Sequence, residues 1–167
     1  MKLLLDSEID CYFIKPEKYN GSAIIEDSNH NQIGWIGQGP SGSFVAAVGL
    51  YEHAGPLVLN VKEKNWSVRT YELFDRDGKL LGTTIRHFVL SSKRKGSLSN
   101  TRNEPVLQYE EPDIRSCNDD GKKIAHFTRG KESWTLKIFD LDYDRKFLFG
   151  LTISMNFSEL KTRYSGF

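Results

Sequence analysis

Tyr71-Glu72-Leu73-Phe74-Asp75-Arg76-Asp77-Gly78-Lys79-Leu80-Leu81-Gly82 reads as strand, polar turn, strand. Gly78 supplies the positive φ that a tight hairpin turn demands, and the Asp75 and Asp77 carboxylates are suited to accept backbone N–H groups around it. The same sentence occurs earlier. In Ala23-Ile24-Ile25-Glu26-Asp27-Ser28-Asn29-His30-Asn31-Gln32-Ile33-Gly34, Asp27 falls over Asp75 and Gly34 over Gly82. A third, weaker copy runs from Asp113 to Ala125 around Asn118-Asp119-Asp120-Gly121. A chain of repeated hairpins predicts an antiparallel β-structure.

Working outward, further strands are expected over Leu3 to Ile14, Phe44 to Tyr51, Leu57 to Val61, Val106 to Tyr109 and Trp134 to Phe139. Each is apolar or alternates, and each is bounded by Gly, Pro or charged turns. Ser91 to Asn103 is polar, holds Lys93-Arg94-Lys95-Gly96 and is expected to be an exposed loop. Phe147-Leu148-Phe149-Gly150-Leu151-Thr152-Ile153-Ser154-Met155-Asn156-Phe157 is the most apolar run. At 11 residues it falls short of the roughly 20 that a spanning helix needs. It is therefore read as a wholly buried element, and periodicity leaves strand and helix both open.

Composition bounds the function. The chain has 167 residues, 38% of them apolar and 27% charged, with a net charge of +1. That is ordinary for one globular domain, here residues 1–167, with no bulk charge directed at nucleic acid. Cys11 and Cys117 are the only cysteines and make no disulfide framework or zinc spacing. Asp6, Glu8 and Asp10 interrupt the apolar start, which excludes a signal peptide and makes a cytoplasmic protein the expectation.

Several motifs carry candidate chemistry. Asp140, Asp142 and Asp144 alternate like the first three ligands of a calcium loop. However, Arg145 and Leu151 stand where that loop needs Gly and Glu, so a solvated acidic turn competes with a weak cation site. Gly37-x-Gly39-x-x-Gly42 has dinucleotide-fingerprint spacing, but the run after it is too short for a crossover helix. His30, His53, His87 and His126 are scattered with no nucleophile setting beside them. Arg86, Lys93, Arg94, Lys95 and Arg102 lie in a stretch free of acids, followed closely by Glu104, Glu110, Glu111 and Asp113. Two readings stand here: a charged loop facing its own partner strand, or an anion site.

From Lys123 to Glu159 the chain resembles the phospholipid scramblase family, grouped with the tubby-like and LURP-one-related proteins. Lys123-Ile124-Ala125-His126-Phe127-Thr128-Arg129-Gly130 resembles that family's late strand. Asp140-Leu141-Asp142 before Lys146 resembles its acidic pre-helix stretch, and Phe149 to Phe157 followed by Glu159 its terminal apolar segment. Glu72 to Thr84 resembles the superfamily's recurring strand-turn-strand unit.

The resemblance implies a closed antiparallel barrel of about twelve strands around a central C-terminal helix. It implies a non-enzymatic module that binds phospholipid headgroups at an anionic membrane surface, or a protein partner. Arg86, Lys93, Arg94, Lys95 and Arg102 would be the headgroup ligands. The Pro-rich N-terminal region and acylated cysteines of the family are missing, and Arg129 and Lys131 stand where its calcium segment opens with acids. The alternatives are a nucleic-acid-binding module using Lys93 to Lys95, and an enzyme with dispersed active-site residues.

Overall fold

The computed structural model describes residues 2–17, 22–41, 45–65, 67–90 and 92–161, the Asp119 side chain excepted. Twelve strands close into one antiparallel barrel. They are β1 (Cys11–Pro16), β2 (Ala23–Glu26), β3 (Gln32–Gln38), β4 (Ala47–Glu52), β5 (Leu57–Asn65) and β6 (Thr70–Asp75). β7 (Leu80–His87), β8 (Lys95–Asn100), β9 (Pro105–Glu110), β10 (Asp113–Ser116), β11 (Lys123–Arg129) and β12 (Trp134–Ile138) complete it. Each strand pairs with its sequence neighbours, and β12 returns to β1 with Tyr12 opposite Leu136. Closure leaves no unpaired strand edge. Among the described residues no helix is long and apolar enough to cross a membrane.

Alternation decides which side chains fill the barrel. Tyr12 and Ile14 point inward from β1, Leu59 and Val61 from β5, Tyr71 and Leu73 from β6, Leu107 and Tyr109 from β9. The apolar run at the end of the chain is helical. α1 (Arg145–Met155) has buried residues on every side, and α2 (Phe157–Leu160) buries Phe157 and Leu160. α1 occupies the lumen, where Phe149 meets the Tyr12 ring edge-on at 4.8 Å, and Phe157 of α2 meets the Tyr71 ring at 4.7 Å. Its two hydroxyls are satisfied inside the plug, since Thr152 donates to the Leu148 carbonyl at 2.8 Å and Ser154 to that of Gly150 at 2.7 Å. Ser154 also accepts from Thr84 on β7 at 2.6 Å, so no buried hydroxyl is left unpaired there.

The barrel wall is thinned where the helix approaches it. A Cβ on Gly96 would lie 2.4 Å from the Met155 sulfur, and one on Gly150 would lie 2.5 Å from Leu73 Cδ1. This explains a difference from the sequence reading. Lys95 to Asn100, expected within an exposed loop, is strand β8, paired with both β7 and β9. Only Gly96 and Leu98 face inward from it, so its sequence has almost no apolar signal. Ladder partners on both sides override the weak local preference.

The repeat also falls differently. Asp27 accepts from the backbone N–H groups of Asn29 and Asn31, and Asp75 from those of Asp77 and Lys79. Asn100 does the same for Arg102 and Glu104. The fourth residue of each turn, His30, Gly78 or Asn103, takes a positive φ. The third well-formed copy is therefore Asn100–Glu104, hidden in the segment read as loop. Asp113 to Ala125 does form a hairpin, β10 to β11, closed through Asp120 and Gly121 at positive φ. The opening strand is shorter than expected. Residues 3–9 turn across the barrel mouth, where Leu4 and Ile9 are buried.

Candidate functional site

Antiparallel closure sends alternate connections to the same end of the barrel. α1 enters at the end bearing the β2–β3, β4–β5, β6–β7, β8–β9 and β10–β11 turns. It points its C-terminus at the end bearing the β1–β2, β3–β4, β5–β6, β7–β8, β9–β10 and β11–β12 connections. We call these the entry end and the exit end.

At the entry end Arg145, the first residue of α1, is buried. Its guanidinium donates to the carbonyls of Ile9, Ser7 (3.1 Å) and Leu141 (3.3 Å) and to the Tyr12 hydroxyl (3.1 Å). Asp144 caps the helix by accepting from the Lys146 N–H at 2.9 Å. The three alternating aspartates do not share a face, because their stretch is a turn and not a strand. Asp140 accepts from the Asp142 N–H at 3.2 Å and lies 3.4 Å from Lys122 Nζ. With Asp140 engaged in the turn and Asp144 in the cap, the calcium-loop pattern dissolves. Among the described residues no three His, Cys, Asp or Glu side chains gather as a metal site. Gly37 belongs to β3, and Gly39 packs so close that an added Cβ would sit 2.0 Å from Asn60 Oδ1. Gly42 lies outside the described residues.

At the exit end, four of the five predicted basic residues come together: Arg86 at the end of β7, and Lys93, Arg94 and Lys95 leading into β8. Arg102 does not join them. It sits in the β8–β9 turn at the entry end, the length of a strand away.

Arg94 is committed to the fold. It donates to the Met155 carbonyl at 2.8 Å and to Asn156 Oδ1 at 2.7 Å, and it pairs with Glu159. It thereby satisfies the C-terminus of α1, whose last carbonyls have no partner within the helix. Glu111 takes a bidentate grip from Arg129 at 2.7 and 3.0 Å and accepts the Arg94 N–H at 3.0 Å. Burial works to raise the pKa of both Glu111 and Glu159, but the neighbouring arginines overcome it and hold both carboxyls below their ordinary range. Lys95 pairs with Glu110 at 3.3 Å on an exposed surface.

Arg86 sits differently. Burial, and then the charges of Arg94 and Arg69, push its guanidinium pKa down. Glu159 works against that push, so the rim mixes like and opposite charge around Arg86. A cleft of about 690 Å³ at this end, which Arg86 does not line, is bounded by Val89, Leu90, Lys93 and Lys95 together with Glu110, Glu111, Asp113 and Arg115. With acids and bases facing each other, the cleft by itself is not an anion cradle.

The sequence reading names Glu110 and Glu111 among the acids that could face the basic stretch, and Lys95 does pair with Glu110 across β8 and β9, but it matches neither Arg94 nor Arg129 to a carboxylate. Arg129 stood out only for occupying an acidic position of the related family, and Arg145 only for breaking a calcium loop. Glu159 followed the apolar run, but nothing local tied it to Arg94, 65 positions away.

No protein-family model matches the chain, and no curated protein matches it. Among solved structures it is similar to an X-ray structure of a protein from Arabidopsis thaliana, with a TM-score of 0.62 and 15% identity. The similarity covers 93% of this chain and 98% of that one. At this identity the likeness shows a shared fold and nothing further.

Proposed function

We propose that this chain is a scramblase-like, tubby-like barrel that binds anionic phospholipid headgroups, acting peripherally at a cytoplasmic membrane surface. The observation that supports the reading is positional: Arg69 in the β5–β6 turn, Arg86 at the end of β7 and the exposed Lys93 all stand at the exit end, where the Arg86 N–H donates to the Arg69 carbonyl at 3.0 Å. A second observation limits the alternatives. α1 fills the lumen, where a barrel of this kind would otherwise hold a small ligand. Binding then belongs to the rim and the connections. Basic side chains near an anionic leaflet contribute about 1 kcal/mol each, enough for salt-sensitive docking and too little for permanent anchoring.

Flotation with phosphatidylcholine vesicles, with and without phosphatidylserine, tests this. Binding is expected only with the anionic lipid, weakening as salt rises. Arg86→Gln with Lys93→Gln should reduce it, whereas Arg94 must be kept because it holds the helix end. Binding that is indifferent to lipid charge and to salt would refute the headgroup reading. Capture of an oligonucleotide by the same basic residues, without vesicle binding, would instead assign the rim to nucleic acid.

A further inference from the structure

We infer that the β7–β8 connection is a membrane-penetrating loop whose Phe88 and Leu90 side chains bury in the acyl boundary of a bilayer. The inference rests on the membrane reading above and adds to it an apolar contact that the basic residues do not supply. Phe88 is 83% exposed and Leu90 is 96% exposed, the two highest values for large apolar side chains among the described residues. Isolated exposed apolar residues are ordinary, but these two share one short connection and one end of the barrel with others. The neighbouring β5–β6 turn carries Val68 at 56% exposure, and Ile85 on β7 is also exposed. The two connections are tied together: Thr70 pairs with Ile85, and the Arg86 N–H donates to the Arg69 carbonyl at 3.0 Å.

Charge complementarity selects the occupant. Arg69, Arg86 and Lys93 stand at this end of the barrel, and the acids near them are engaged by other cations: Glu110 by Lys95, Glu111 by Arg129, Asp113 by Lys123 and Glu159 by Arg94. An apolar tip with cationic shoulders matches the layering of an anionic leaflet, hydrocarbon beneath phosphate. The barrel has no free strand edge to recruit an extended peptide. The apolar side chains also stand on the tips of connections at one end of the barrel, where a surface can be met along the barrel axis.

The experiment uses the full chain with phosphatidylcholine vesicles containing phosphatidylserine. Phe88→Ser with Leu90→Ser is expected to weaken binding at least about tenfold, the equivalent of about 1.4 kcal/mol, with an unchanged melting temperature because neither side chain packs in the core. Residual binding should stay salt-sensitive. Phe88→Trp should keep wild-type affinity, and its fluorescence should shift to the blue and be quenched by brominated acyl chains.

Wild-type affinity in the double serine variant, or an indole at position 88 that bromolipid leaves unquenched, overturns penetration while the headgroup reading stands. Binding to neutral vesicles that the serine variant abolishes supports penetration and overturns the headgroup reading. No binding to either vesicle overturns both. A concentration-dependent dimer abolished by the serine substitutions would assign the patch to a second copy and overturn the bilayer as its occupant.

Discussion

Replacing Gly150 with Ala is expected to destabilise the protein, although the same change in an isolated helix would stabilise it. Gly150 lies in the interior of α1, where Ala is favoured over Gly by about 1 kcal/mol. Against that, the new Cβ would lie 2.5 Å from Leu73 Cδ1, 3.1 Å from its Cδ2 and 3.3 Å from its Cγ. Leu73 is fully buried and cannot swing into solvent. Overpacking of this kind costs about 1–3 kcal/mol, so the net loss should be about 1 kcal/mol.

Leu73→Ala alone should cost about 2–5 kcal/mol through the cavity it leaves. In that background the clash is gone, and Gly150→Ala should now stabilise by about 1 kcal/mol. The sign reversal amounts to a coupling of about 2 kcal/mol between the two sites. Urea unfolding of the four proteins, with a common m-value, measures it. If Gly150→Ala stabilises equally in both backgrounds, α1 does not pack against β6 from inside the barrel, and the plug architecture fails.

Arg94→Ala should cost about 3 kcal/mol in urea unfolding, because it leaves the Met155 carbonyl, Asn156 and Glu159 without their donor. Amide exchange over 155–160 should quicken with it, and Arg94→Lys should recover only part, since an ammonium cannot span the three acceptors as a planar fork does. A loss under about 0.5 kcal/mol would refute the latch.

The depressed carboxyls of Glu111 and Glu159 predict acid sensitivity. A folded-state pKa below the ordinary 4.5 contributes stability that is complete above that value and disappears as pH falls through the folded one. Melting temperature should therefore decline below about pH 4.5. Asp113 and Glu26 are depressed as well, so the diagnostic is the difference between wild type and Glu111→Gln. That gap should be widest near neutrality and close at low pH, and a gap independent of pH would count against the Arg129 pairing.

Much of the architecture was written locally. Asp75 to Gly78 and Asp27 to Asn31 are turns because a carboxylate two to four residues upstream of backbone N–H groups closes them without outside help. An 11-residue run with no polar face had to be buried, whatever its secondary structure. Strand β8 was not legible, since Gly96 and Leu98 alone face inward and the rest is Lys, Ser and Asn. What makes it a strand is the unmet ladder of β7 and β9.

For the site, the sequence determined which cations cluster along the chain, and proximity in sequence placed Lys93 to Lys95 together. Only closure of the barrel decided their fates. It turned Arg102 to the far end, engaged Arg94 with the helix terminus and Lys95 with Glu110, and left Phe88 and Leu90 exposed at the exit end. Hairpin turns are short-range hydrogen bonding and are readable in a few residues. Which charges are neutralised and which apolar side chains stay outside depends on partners brought in from distant parts of the chain, and only the folded ring of strands fixes those meetings.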